Sequence, residues 1–83
     1  MKTPKVYGAD WCEDTAATRN HLDSLGVQYQ YVDVEQDAAA CEWIKARNGG
    51  KRQTPTVDLD GQILIEPDER ELEEALRGKG LMG

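Results

Sequence analysis

Eighty-three residues, 39% of them hydrophobic, suffice for one domain with one modest core and leave no room for a second globular unit. The formal net charge is -6, which removes the broad basic footprint that nucleic acid or an anionic membrane surface would require. The opening residues lack the apolar run of a signal peptide and no stretch reaches the length of a membrane span, so a cytoplasmic protein with neither a nucleic-acid nor a membrane partner is expected.

Lys5, Val6 and Tyr7 read as a short strand that Gly8 and Ala9 end. Asp10, Trp11 and Cys12 then lead into a helix whose core face carries Thr18, Leu22 and Leu25, with Gly26 where a left-handed C-terminal cap belongs. Cys12 therefore stands at a strand-to-helix junction, at the helix N-terminus. Val27 to Val34 is rich in β-branched and aromatic residues and alternates, which predicts a second strand parallel to the first. Asp37 can cap a second helix running to about Arg47, with Ala40, Trp43 and Ile44 as its apolar stripe and Asn48-Gly49-Gly50 as its stop.

The second half changes period. Thr56 to Leu59 and Gln62 to Ile65 are β-type runs joined by Asp60-Gly61, a dipeptide suited to a type I′ hairpin turn, so the two are expected to pair antiparallel. Pro67 stops the hairpin, Asp68 and Glu71 have capping-box spacing, and Leu72, Ala75 and Leu76 form the stripe of a last helix. The Gly-rich segment from Gly78 to Gly83 is expected to fray, and residues 1–83 to form a single domain. The order βαβαββα, with a right-handed crossover in the first unit, predicts an α/β fold with a four-stranded mixed sheet and helices on both faces.

Two cysteines are too few for a disulfide framework and are not spaced as zinc ligands, so no metal site is expected. In a reducing compartment such thiols are buried filler or redox groups. The thiolate is the nucleophile in disulfide exchange, and a helix N-terminus stabilises negative charge through its dipole and unpaired N–H groups. Cys12 has that placement. Cys41 falls one turn into the second helix, expected across the sheet from the first, and reads as a packing residue rather than a resolving thiol. His21, nine residues beyond Cys12, is about 13 Å of helical rise away and is not a base for it. Trp43, Tyr29 and Tyr31 read as core and sheet-face residues.

Trp11-Cys12 at its junction, Thr54-Pro55-Thr56-Val57 opening the third strand, and the element order together resemble the glutaredoxins of the thioredoxin fold. The run from Asn48 to Arg52 just before Thr54-Pro55 is most similar to the mycoredoxins and related glutaredoxin-like proteins of bacteria. The match covers nearly the whole chain. It implies thiol–disulfide exchange at Cys12, with Trp11, Arg52, Thr54 and Pro55 as substrate-binding residues. It also implies a cis Thr54-Pro55 bond, with the Thr54 backbone pairing with the cysteine of a bound thiol such as glutathione. Sequence physics alone, without the resemblance, favours a proline that merely starts an edge strand, and Trp11 could simply shield the helix start.

The sequence also departs from the family pattern. Cys12-Glu13-Asp14-Thr15 lacks the second cysteine of Cys-x-x-Cys, so no disulfide can close within the motif and a monothiol route is expected. The lysine that many glutaredoxins carry three positions before the cysteine is Ala9, and Glu66-Pro67 stands in place of a glycine pair near the last helix. Asp10, Glu13 and Asp14 either suit the helix start or oppose a thiolate, with Lys51 and Arg52 offsetting them from the same rim. The expected function is a monomeric thiol–disulfide oxidoreductase with no resident cofactor. Glutathione or a similar low-molecular-weight thiol would be its cosubstrate, and protein disulfides or mixed disulfides its substrates. An iron–sulfur cluster carrier of the monothiol kind and a redox-silent binding module are the alternatives.

Overall fold

The computed structural model describes residues 3–81. Strands β1 (Lys5–Gly8), β2 (Gln30–Asp33), β3 (Thr56–Leu59) and β4 (Gln62–Ile65) alternate with helices α1 (Glu13–Ser24), α2 (Ala38–Arg47) and α3 (Glu69–Gly78) in the expected order. The sheet order is β2-β1-β3-β4. β1 pairs parallel with β2 and antiparallel with β3, and β3 pairs antiparallel with β4. This is the mixed sheet of a thioredoxin-like fold.

Alternation along β1 and β3 divides the core in two. Val6, Val57 and Leu59 point to one face, where they meet Leu22 of α1 and Leu72 and Leu76 of α3. Tyr7 points to the other, where it joins Val34 and, from α2, Ala40 and Ile44. Trp43 completes that face by stacking on Tyr7, ring centroids 4.6 Å apart. Full burial of each leucine contributes roughly 1.5–3 kcal/mol, so the α1/α3 side carries more of the stability.

The local signals operate as read. Val27 and Gly26 donate to the carbonyls of Leu22 and Asp23, a Schellman closure with Gly26 at φ 70°. Asp37 accepts from the Ala40 N–H, and Asp68 and Glu71 form the reciprocal capping box. Asp60 and Gly61 both have positive φ, as a type I′ turn requires.

One expectation needs correction. The second strand is shorter than Val27 to Val34. Val27 is consumed by the helix closure, and opposite Tyr29 the β1 side offers Pro4, which has no N–H to extend the ladder. Within the segment expected to fray, Gly80 (φ 69°) and Leu81 donate to Arg77 and Leu76 in a second Schellman closure, and Leu81 packs on the α1/α3 core. Met82 and Gly83 lie outside the described residues.

Candidate active site

Cys12 is the N-cap of α1, and its side chain makes no cap hydrogen bond. The N–H groups of the first turn are therefore free to face the sulfur. The Cys12 N–H closes a turn onto the Ala9 carbonyl, and its own carbonyl accepts the first helical bond from Ala16. Across the mouth lies Thr54, followed by Pro55 with a cis peptide bond between them. The thiol can donate to the Thr54 carbonyl at 3.9 Å, and the Thr54 hydroxyl can donate to the sulfur at 3.6 Å. The two contacts serve opposite protonation states of the same group.

Thr15 occupies the position where a dithiol motif would carry its second cysteine. It is buried, and its hydroxyl accepts from the Ala9 N–H at 3.4 Å, leaving its own proton for Cys12. Gly8 makes room for it, since a Cβ on Gly8 would lie 2.4 Å from the Thr15 methyl. Burial by itself pushes the Cys12 thiol up; the Thr15 hydroxyl and N–H, the Thr54 hydroxyl and the Asp14 N–H, all of which favour the thiolate, outweigh it. The thiol is held below its ordinary range. The nearby acids do not reverse this, and Asp10 is engaged with the Tyr31 hydroxyl at 2.8 Å.

The other expected site residues gather on one side of the sulfur. Trp11 is exposed and donates from Nε1 to Glu35 at 2.8 Å. Arg52 forms an ion pair with the same Glu35 oxygen. Those two hydrogen bonds hold the Glu35 carboxyl below the usual carboxylate range, that from Trp11 contributing most. Glu35, absent from the sequence-based set, is the link between Trp11 and Arg52. Its position was recoverable from topology, because the parallel register Gly8↔Asp33 brings the loops after β1 and β2 to the same sheet edge. Asp33 fixes the turn by accepting from the Glu35 N–H through its carboxylate.

A groove of about 420 Å³ runs between α1 and α3 and reaches the cis-proline. Pro55, Ala17 and Leu72 line it together with Asp14, Glu66 and Asp68. The Glu66 N–H bonds the Pro55 carbonyl at 2.8 Å and so ties the cis-proline loop to the turn before α3. His21 is paired with Glu73 at 3.0 Å, joining α1 to α3 away from the thiol. Cys41 packs against the α2-face cluster, on the far side of the sheet from the α1/α3 core. Among the described residues no group of three His, Cys, Asp or Glu side chains is placed to hold a metal ion, and no helix is long and apolar enough to cross a membrane.

The Glutaredoxin family model matches residues 5–64, which spans the thiol, the cis-proline and all of the sheet but the last residue of β4. The chain belongs to the glutaredoxin family. Mycoredoxin 1 of Corynebacterium glutamicum is 40% identical over 68 residues, covering 81% of this chain and 84% of that protein. Among solved structures, the thioredoxin-like protein BC3987 superposes with a TM-score of 0.77 at 26% identity, over 87% of this chain and 97% of the other. A buckwheat glutaredoxin crystallised with glutathione has a TM-score of 0.75 at 20% identity, over 96% and 81% of the two chains. This glutaredoxin is thus a thioredoxin-fold redox protein whose motif keeps the N-terminal cysteine and replaces the second by Thr15.

Proposed function

We propose that the chain is a thiol–disulfide oxidoreductase that works through Cys12 alone on mixed disulfides of a low-molecular-weight thiol. The observation that carries the reading is the free N-cap sulfur facing Thr54, with a hydroxyl instead of a thiol at position 15. In the first step the Cys12 thiolate attacks the sulfur of the small thiol in a mixed disulfide. A new disulfide forms at Cys12, and the released protein thiolate takes up a proton. In the second step a second molecule of the small thiol attacks that sulfur in turn, leaving as its own disulfide and regenerating Cys12. Electrons balance without a resident cofactor, since the external thiol is the reductant.

Trp11, Arg52, Thr54 and Pro55 are the residues proposed to receive the small thiol. The Thr54 backbone beside a cis-proline offers hydrogen bonds to a cysteine backbone, and the complex of the buckwheat relative supports a low-molecular-weight thiol as the class. The groove between α1 and α3 adds room for the segment that carries the disulfide. Intact-mass measurement after incubation with small disulfides tests the reading: one adduct is expected on the wild type and none on Cys12→Ser. Absence of both adduct and turnover with every thiol tried would leave a redox-silent binding module.

A further inference from the structure

Glu35 holds the mouth of the site together. Its Oε1 accepts from Trp11, the residue before the thiol, and pairs with Arg52, two residues before the Thr54 that touches the sulfur. A thiol bearing a free carboxylate would find its natural anchor in a guanidinium on this rim. That guanidinium is already neutralised. Asp10, Glu13 and Asp14 around the helix start add further negative charge. Lys51, exposed beside Arg52, makes no ion pair among the described residues and leaves only a solvated charge nearby.

We propose that Glu35 is a specificity-determining residue of the Cys12 site, which withholds Arg52 from anionic thiols and so favours neutral or cationic ones. The inference rests on Cys12 being the reacting thiol and deepens the reading above by assigning the charge class of its partner. A substrate carboxylate that approaches Arg52 has to share it with Glu35, whose charge repels it. A neutral thiol meets neither penalty. The residue acts through Arg52 and Trp11 and has no contact with the sulfur, so it is a positioning residue.

Two reagents of the same shape and opposite charge type provide the test: the alkylation rate of Cys12 by anionic iodoacetate is measured against that by neutral iodoacetamide, in the full chain at low ionic strength. Glu35→Gln keeps an acceptor for Trp11 and removes the charge. It should raise the iodoacetate-to-iodoacetamide ratio about two- to fivefold, the range of a single exposed charge pair. The gain should vanish in Glu35→Gln with Arg52→Gln and shrink in about 1 M salt, where the screening length is near 3 Å. Glu74→Gln, remote on α3, should leave the ratio where it was. An unchanged ratio in Glu35→Gln overturns the proposal, and so does a gain that survives loss of Arg52, because released Arg52 would then not be the cause. Alkylation requires no turnover, so failure of the oxidoreductase reading shows separately, as absence of exchange with any disulfide. Where exchange occurs, kcat/KM for a glutathione mixed disulfide should rise in Glu35→Gln relative to that for a cysteamine one.

Discussion

The two cysteines both sit at the start of a helix and both are half-buried, yet the fold gives them opposite surroundings. Cys12 is the cap of α1 itself, so the first-turn N–H groups and the Thr15 hydroxyl converge on its sulfur. Cys41 lies four residues past the cap of α2, where its own N–H is committed to the Asp37 carbonyl and the Asp37 carboxylate already serves Ala40. Its side chain joins the cluster of Tyr7, Val34, Ala40 and Ile44. The two sulfurs thus differ in the donors left over to meet them. What matters is occupying the cap, where the donors are unpaired and the partner loop is close.

The strongest way to break this contrast is to remove each sulfur in turn. Cys12→Ser should abolish reduction of a mixed disulfide, while Cys41→Ser should retain it within about twofold, because deleting a packing thiol mainly affects stability. Complete loss in a folded Cys41→Ser protein would make Cys41 a resolving thiol and end the distinction. Thr15→Cys should convert the site to a dithiol: titration of free thiols after mild oxidation should show an internal disulfide between positions 12 and 15, which wild type cannot form. Adjacent turns of a helix start lie within the Cα separation that a disulfide needs.

Smaller effects sharpen the comparison at the Cys12 end. Gly8→Ala would drive a methyl into Thr15, displacing the hydroxyl that supports the thiol. A loss of roughly 1–3 kcal/mol in urea unfolding is expected, together with slower alkylation of Cys12 at neutral pH. The equivalent insult on the Cys41 side, Ala39→Gly at an exposed helix position, should cost no more than about 1 kcal/mol and leave Cys12 alkylation alone.

The smallest expected effect is the pH dependence. The Cys12 thiol titrates lower in the folded than in the unfolded protein, so its stabilising contribution is complete above the ordinary thiol range and is lost as pH falls through the lower, folded value. Thermal unfolding across that window should show a rise in Tm with pH in wild type that Cys12→Ser lacks. Equal slopes in the two proteins would mean that the Thr15 and Thr54 hydrogen bonds do not favour the thiolate.

The site was legible in part. Cys12, Thr54 and Pro55 carry signatures in single residues or dipeptides, and the structure brings them together across 42 positions of sequence. Glu35 carries none: it falls between the expected second strand, ending at Val34, and the cap at Asp37, and its role arises from Trp11 and Arg52, 24 and 17 positions away. Thr15 was visible as a missing cysteine but not as a buried donor, because that role depends on β1 ending in a glycine against it.

What the sequence determined by itself is the set of features whose partners lie within a few residues. These are the caps at Asp37 and Asp68, the left-handed closure at Gly26 and the Asp60-Gly61 turn. The strand and helix periods that order the elements belong with them. Their free energies come from contacts inside one turn of chain, so local spacing specifies them. Tertiary structure alone decided the length of β2, the docking of Leu81 and the Glu35 bridge over the thiol. Each of these depends on which groups another segment presents once the sheet has formed: the missing N–H of Pro4, the apolar face between α1 and α3, and the shared edge where the loops after two parallel strands meet.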